Sequence, residues 1–120
     1  MIYIGTDIVQ ISRIDQIIMD KGKRFISRVF TENEQFICNT KVSPHIHYGG
    51  KYAAKEAVKK ALLSSREMMN IALNTIEIQN KADGAPSVVL KNEMDCTFNL
   101  EVSISHTDDY AIATAILEIQ

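Results

Sequence analysis

The chain has 120 residues, of which 46% are hydrophobic and 23% are charged, and its net charge is −2. This composition argues against disorder, and the length suits one domain over residues 1–120, since domains commonly have about 100–150 residues. A chain this short buries only about 65% of its unfolded surface, so an oligomer would add stability.

Several classes of protein are disfavoured by the sequence. No segment approaches the ~18 consecutive apolar residues of a membrane span, and the N-terminus lacks the basic and apolar regions of a signal peptide. Cys38 and Cys96 match no zinc or redox spacing, so we expect a reducing cytoplasm. Nucleic acid is a weak candidate because the basic residues are not interleaved with aromatic ones.

Charge is distributed unevenly along the chain. Residues 1–66 contain 11 basic residues (Lys or Arg) and 6 acidic residues (Asp or Glu). Residues 67–120 contain 2 basic and 9 acidic residues. The resulting charges of +5 and −7 can steer an anionic partner to one face, although ordinary solvated charge would explain them equally well.

In chain order, the first predicted element is a buried strand over residues 2–9, which are mostly apolar and β-branched. Ser12 and Asp15 then resemble a capping box, and isoleucines follow at helical spacing. We therefore expect a helix that runs to about Lys21 and ends at Gly22.

Two shorter helical segments are expected next. A helical turn over residues 25–30 precedes Thr31 and Glu34, whose spacing predicts a second capping box. The helix that begins there should reach about Asn39.

The longest helix should begin at Ser43–Pro44, because proline in the first turn loses no hydrogen bond that the helix needs. It is expected to reach Leu62 or Leu63. Gly49–Gly50 lies inside it, and each glycine costs ~1 kcal/mol relative to alanine. This cost predicts that something approaches the helix backbone closely there.

The second half of the chain has the alternating pattern of β-strands. Asp83–Gly84 is a strong hairpin signal, and residues 107–109 predict a second turn. The expected class is therefore α+β: an N-terminal strand, then helices, then a meander of strands over residues 75–79, 86–90, 100–104 and 110–119.

One stripe of the long helix combines small and charged residues. At about 100° per residue, Gly49, Ala53, Glu56 and Lys60 share a face. An ordinary Glu56–Lys60 surface pair, worth about 0.3–0.5 kcal/mol, explains the two charges. The small neighbours instead favour a ligand that reaches the Glu56 carboxylate.

Asp7 lies inside an apolar strand, where a carboxylate is costly to bury without compensation. Backbone N–H groups or solvent could provide that compensation. If Asp7 instead meets Glu56, two hard oxygen ligands together with phosphate oxygens and waters would suit Mg²⁺.

Histidines offer fewer indications. His106 follows hydroxyl residues at a strand end and could orient an anion, or it could be a turn residue with a local hydrogen bond. His45 and His47 point apart on a helix, which argues against a metal pair. The sequence contains no G-x-S-x-G, Walker A or dinucleotide-binding motif.

Four segments, in their order and spacing, resemble the holo-acyl-carrier-protein synthase family of 4′-phosphopantetheinyl transferases. The resemblance extends from residue 2 to about residue 118. It rests on Ile4–Val9 with Ile11–Ile14, on Phe30–Glu34, on Tyr52–Ala57 and on Ser103–Thr107.

This resemblance implies an α+β fold in which an antiparallel sheet packs with a long helix, and a homotrimer with active sites at the subunit interfaces. The implied enzyme transfers 4′-phosphopantetheine from coenzyme A to a serine of apo acyl carrier protein. The products are holo acyl carrier protein, which serves fatty acid biosynthesis, and adenosine 3′,5′-bisphosphate.

The resemblance also implies roles for individual residues. Asp7 and Glu56 would bind Mg²⁺ with the pyrophosphate of coenzyme A, and Lys60 would stabilise charge or relay a proton at the transferred phosphoryl group. Lys51 and His106 would help to hold the 3′-phosphate of coenzyme A. The family's basic contact with the carrier protein matches Arg13.

Three departures from the family pattern predict weaker coenzyme A binding. The family's glycine-rich turn is replaced by Leu63–Glu67. The family's arginine, which can form two hydrogen bonds to a phosphate, is replaced by Lys51. Residues 41–47 lack the arginines that often contribute to the nucleotide pocket. Lys51 also falls about 140° around the helix from Glu56, so one ligand cannot easily meet both unless two subunits share the site.

Two other classes of function compete with the enzyme. A non-catalytic module could keep the fold and bind a carrier protein or nucleotide, as the altered Leu63–Glu67 segment suggests. A purely structural subunit would respond to neither Mg²⁺ nor coenzyme A. The combination of Asp7, Glu56 and Lys60 favours the enzyme.

Overall fold

A computed structural model describes all residues from 1 to 120. The expected α+β class and the antiparallel sheet packed with a long helix are confirmed, and none of the helices is long and apolar enough to cross a membrane. The elements are β1 (Ile2–Gln10), α1 (Ile11–Lys21), α2 (Lys23–Val29), α3 (Glu32–Asn39), α4 (Pro44–Ser65), a 3₁₀ turn (Leu73–Thr75), β2 (Ile76–Asn80), β3 (Pro86–Leu90), β4 (Phe98–His106) and β5 (Tyr110–Ile119).

The strands form two separate antiparallel sheets. A three-stranded sheet has the order β1-β5-β4, while β2 pairs only with β3. The predicted four-strand meander is therefore wrong: β1, from the opposite end of the chain, pairs with β5 and completes the main sheet. Local sequence patterns identify strands but do not report such distant pairing.

Helix α4 packs across β1 at very close range. A Cβ atom at Gly5 would lie 1.8 Å from the carbonyl oxygen of Ala57 and 2.8 Å from the amide nitrogen of Ala61. Only glycine allows this approach, which is a direct backbone contact. The core beside it is formed by small and branched side chains of α4 and β5, among them Val58, Leu62 and Leu117.

Strand β1 is not the buried strand that its apolar sequence predicts. Gly5 is its one fully buried residue, and alternate side chains face away from α4. On this outer side of the sheet, three isoleucines of β1 and two of β5 are between 44% and 63% exposed. We call them the apolar sheet face: Ile2, Ile4, Ile8, Ile112 and Ile116.

The helix boundaries confirm some predictions and correct others. Thr31 and Glu34 form the predicted capping box. Ser12 caps nothing, because α1 begins at Ile11, whose N–H donates to Asp109 O at 2.8 Å. Helix α4 begins at Pro44 as predicted, but it continues to Ser65, beyond the expected end.

The interior glycines of α4 do permit a close approach. A Cβ at Gly49 would lie 3.1 Å from the Ile11 side chain, and one at Gly50 would lie 3.4 Å from Ile104. The space beside Gly49 is thus filled by α1. The small residues of this stripe serve helix packing here, in contrast to the expected ligand access.

Candidate active site

The side chain of Asp7 points from β1 toward α4 and is 15% exposed. Its Oδ1 accepts a hydrogen bond from Lys60 Nζ at 3.0 Å, and the same ammonium donates to Thr6 O at 2.9 Å. Asp7 Oδ2 is buried and has no hydrogen-bond partner. The carboxylate is therefore compensated on one oxygen only.

Asp7 and Glu56 line one cavity of about 340 Å³. Glu56 comes from α4, and the α1 residue Arg13 and the α4 residue Tyr52 line the same space. We call it the carboxylate pocket. Its remaining lining residues are Ile8, Val9, Gln10, Ile14 and Ile17.

The ion pairing in this region differs from the simplest expectation. Glu56 and Lys60 form no salt bridge along the helix, because Lys60 pairs with Asp7 across to β1. Burial raises the pKa of the Tyr52 hydroxyl above its ordinary value, and the negative charges of Glu56 and Asp7 add to this effect. Two neighbouring carboxylates are what a site for a hard cation requires.

A metal ion in this pocket would draw on few protein ligands. Nowhere in the chain do three or more His, Cys, Asp or Glu side chains form a cluster that could hold a metal. Asp7 and Glu56 are thus the available pair, and the free Asp7 Oδ2 is suited to a hard cation.

A second cavity, of about 480 Å³, lies between α4, the β2–β3 hairpin and the end of β4. Lys41, His47, Lys51 and His106 line it, and no carboxylate does. We call it the basic pocket. Its other lining residues are Ile37, Ile46, Gly50, Ile78, Asn80, Gly84, Pro86 and Ile104.

The two predicted coenzyme A residues of this pocket differ in accessibility. Lys51 is 6% exposed, and its ammonium donates to Ile78 O at 3.2 Å and to Asn80 Oδ1 at 3.5 Å. His106 is exposed, and its Nδ1 lies 3.2 Å from Thr107 O. Lys51 thus supports the pocket wall, whereas the His106 ring is open to a ligand.

His47 and Lys41 line this pocket but were not among the predicted site residues, although residues 41–47 were expected near the nucleotide. Burial, followed by the nearby charges of Lys41, Lys51 and His106, lowers the pKa of His47 below its ordinary value. His45 lines a different cavity, which agrees with the rejection of a histidine metal pair. The i,i+4 spacing of His47 and Lys51 could have indicated their common face.

The predicted site residues therefore fall into two groups. Asp7, Glu56 and Arg13 share the carboxylate pocket, with Lys60 attached to Asp7. Lys51 and His106 share the basic pocket. The two pockets have no lining residue in common, as the angular separation of Lys51 and Glu56 predicted.

A third concave surface was also missed. Lys21, Arg24 and Arg28 surround a cavity of about 310 Å³ formed by α1 and α2, with Ile17 and Phe25 as its apolar part. We call it the basic groove. It adjoins the carboxylate pocket, since Ile17 lines both. The basic side chains are spaced by three and four residues in the sequence, a pattern that could have indicated a common face.

Comparison with known proteins agrees with this architecture. The family model described as the 4′-phosphopantetheinyl transferase superfamily matches residues 3–115. A protein of Protochlamydia amoebophila named holo-[acyl-carrier-protein] synthase is 42% identical over 116 residues, which cover 94% of both chains. The protein of the same name from Chlamydia pneumoniae is 40% identical, covering 97% of this chain and 96% of its own.

Solved structures of similar proteins have the same fold. A Chronobacterium ammoniagenes ACPS–CoA complex superposes with a TM-score of 0.87 at 28% identity, covering 100% of this chain and 98% of the other. A Bacillus anthracis holo-(acyl-carrier-protein) synthase in complex with CoA has a TM-score of 0.80 at 30% identity, with coverages of 98% and 96%. The chain belongs to the holo-[acyl-carrier-protein] synthases of the 4′-phosphopantetheinyl transferase superfamily.

Proposed function

We propose that this protein, acting as a single domain over residues 1–120, transfers 4′-phosphopantetheine from coenzyme A to a serine of apo acyl carrier protein. The observation that carries the proposal is the carboxylate pocket, which Asp7 and Glu56 both line and where Asp7 Oδ2 has no partner. The relatives named holo-[acyl-carrier-protein] synthase support it. The product would serve fatty acid biosynthesis in the cytoplasm, where the two free cysteines would stay reduced.

Mg²⁺ is the cofactor that the pocket fits best. Asp7 and Glu56 would hold it, and a hard cation with few protein ligands leaves room for phosphate oxygens. When bound, Mg²⁺ neutralises phosphate charge and polarises phosphoryl oxygens. The buried, unpartnered Asp7 Oδ2 supports this assignment, since a buried carboxylate oxygen without a partner is costly.

Lys60 would act on the transferred group. Its side chain is 52% exposed, yet its ammonium is fixed beside β1 by Asp7 and Thr6 O. The serine hydroxyl would lose its proton to water or to a nearby carboxylate, and its oxygen would form a bond to the β-phosphorus of coenzyme A. The bond from that phosphorus to the oxygen that links it to the α-phosphorus would break, and adenosine 3′,5′-bisphosphate would leave with that oxygen. A fixed ammonium stabilises the charge that develops there or relays the serine proton.

The basic pocket would hold the nucleotide end of coenzyme A. Four basic side chains and no carboxylate line it, which suits the 3′-phosphate. His106 would contact the phosphate, while Lys51 would contribute its charge from the pocket wall. Because lysine lacks the bidentate hydrogen bonding of arginine, we expect this binding to be weak.

A homotrimer would bring the two pockets together. The apolar sheet face exposes five isoleucines on one side of β1 and β5, and a second copy of the chain would cover them. Because the carboxylate and basic pockets share no lining residue, coenzyme A would bridge neighbouring subunits. Analytical ultracentrifugation should then give three times the chain mass of 13.5 kDa, whereas a monomer at micromolar concentration would contradict this arrangement.

The carrier protein would bind at α1 and α2. Arg13 lines the carboxylate pocket, and the basic groove continues from it through Ile17. Three basic side chains around an apolar centre fit an acidic, amphipathic helix. A partner that binds there would present its serine next to Asp7 and Glu56.

Intact-mass measurement of apo acyl carrier protein tests the proposed function. After incubation with this protein, Mg²⁺ and coenzyme A, the carrier should gain one phosphopantetheine unit, and EDTA should prevent the gain. If several carrier proteins gain nothing while coenzyme A still binds, the chain is a non-catalytic binding module.

A further inference from the structure

The free edge of strand β2 is hydrogen-bonded by helix side chains. Alternate residues of a strand direct their N–H and C=O groups to the same edge. Ile78 N donates to Glu34 Oε2 at 2.7 Å, and Ile78 O accepts from Lys51 Nζ at 3.2 Å. Ile76 O accepts a short hydrogen bond from Lys55 Nζ. Side chains of α3 and α4 thus take the place of a neighbouring strand.

A buried ion pair organises these contacts. Glu34 and Lys55 are both fully buried, and Lys55 Nζ lies 2.5 Å from Glu34 Oε1. That oxygen also accepts from Thr31 N at 2.8 Å, and the ammonium lies 5.8 Å from the ring centroid of Phe30. Both carboxylate oxygens of Glu34 are therefore satisfied, in contrast to those of Asp7.

The contacts continue from this edge to the basic pocket. Lys51 Nζ also reaches Asn80 Oδ1 at 3.5 Å, and Asn80 Nδ2 donates to Gly84 O in the hairpin turn at 3.1 Å. Ile78, Asn80 and Gly84 all line the basic pocket. The position of that pocket wall thus depends on how β2 is held against α3 and α4.

Apolar packing alone does not fix this position. Ile76 and Ile78 are fully buried in the core, but hydrophobic contacts are not directional. A buried ion pair adds little net stability because desolvation offsets its attraction, whereas its hydrogen bonds have defined geometry. The hydrogen bonds from the Glu34–Lys55 pair to Ile78 N and Ile76 O therefore give the edge of β2 a defined position.

We propose that Glu34 and Lys55 are positioning residues for coenzyme A: by holding β2 they set the hairpin wall of the basic pocket, without touching the ligand. The proposal rests on the proposed function of that pocket. Loss of the pair should therefore weaken coenzyme A binding, while the carboxylate pocket, which contains none of these residues, should keep its transfer chemistry.

Glu34→Gln tests the proposal because it keeps the side-chain size but removes the charge and one acceptor oxygen. In either orientation of the amide, its NH₂ group faces a donor, Ile78 N or Lys55 Nζ, from which it cannot accept. The matched control is Glu77→Gln, the same substitution on β2 itself. Glu77 accepts from Thr31 Oγ1 and Gln79 Nε2, and it forms no hydrogen bond with Ile78 N or Lys55. Titration calorimetry with coenzyme A and steady-state kinetics would be measured for both variants and for the unaltered protein.

We expect Glu34→Gln to raise the Kd and the KM for coenzyme A about tenfold, with kcat and the KM for the carrier protein within about twofold of normal. Glu77→Gln should leave all four values near normal. A purely structural role would lower kcat through loss of folded enzyme and leave the Kd unchanged. That result, or an equal effect of Glu77→Gln, would overturn the proposal.

Hydrogen exchange provides a second measurement that does not depend on the variant folding. In the unaltered protein, saturating coenzyme A should slow exchange of the Ile78 amide, whose partner is Glu34. An unchanged rate would overturn the proposal. If the unaltered protein binds no coenzyme A at all, the proposed function itself fails, which the same titration reveals.

Discussion

Two lysines of α4 form carboxylate–ammonium pairs in opposite environments. Lys55 pairs with Glu34 where both side chains are completely buried, whereas Lys60 pairs with Asp7 where the lysine is half exposed. Every oxygen of Glu34 is bonded, but Asp7 Oδ2 is not. The satisfied pair fixes structure, and the unsatisfied one is available for chemistry.

Lys55→Met should produce the largest change in stability. Removing one member of a buried pair leaves the other charge uncompensated, so we expect a loss of about 3–5 kcal/mol in the free energy of unfolding. Urea denaturation measures it. Lys60→Met is the matched control and should cost less, about 1 kcal/mol, because Lys60 is half exposed and water can reach its side of the pair. Equal losses in the two variants would remove the distinction between the pairs.

Asp7→Ala should give the reverse pattern, a large loss of activity with little loss of stability. We expect the transfer rate to fall about 100- to 1000-fold because a charge-organising group of the site is lost. The free energy of unfolding should change by less than about 1 kcal/mol. Asp20→Ala, at an exposed position of α1 that bonds only Gln16, is the control. Near-normal turnover of Asp7→Ala would exclude Asp7 from the site.

Arg66→Gly should have a smaller, stabilising effect. Arg66 follows α4 with a φ of 62°, the left-handed conformation that side chains disfavour. Glycine removes this strain at some cost in chain entropy, so we expect a gain of up to about 1 kcal/mol. The melting temperature should rise. A fall would show that the Arg66 side chain contributes contacts that offset its strained backbone.

The smallest expected effect is a pH dependence at the basic pocket. The pKa of His47 is lowered from 6.5 in the folded protein, first by burial and then by Lys41, Lys51 and His106. The unfolded chain therefore binds more protons near this pH, and stability is lost as pH falls below 6.5. Urea midpoints at pH 7.5 and pH 5.5 should differ less in His47→Gln than in the unaltered protein. An identical difference would mean that other groups dominate.

Much of the site could be predicted because local chemistry indicated it. The cost of placing Asp7 in an apolar strand predicted a compensating group, and the helical stripe placed Glu56 and Lys60 on α4. The structure brings Asp7 and Glu56 into one pocket. The angular separation of Lys51 from Glu56 likewise agrees with their lining different pockets.

The parts that were missed depend on long-range contacts. Glu34 and Lys55 are separated by 21 residues and belong to different helices, so no periodicity connects them. Strand β1 was expected to be buried because its sequence is apolar, but pairing with β5 leaves the apolar sheet face exposed. Whether an apolar strand face meets a helix or another subunit is decided by tertiary and quaternary contacts, which a single sequence does not report.

The most direct test of the central claim is the single-turnover rate of phosphopantetheine transfer by Glu56→Gln, with saturating coenzyme A and Mg²⁺. Glu56 lines the carboxylate pocket but forms no salt bridge, so the amide should leave the fold intact. We predict a rate at least about 100-fold below normal while coenzyme A remains bound in the basic pocket. A normal rate would contradict the assignment of the carboxylate pocket as the catalytic centre.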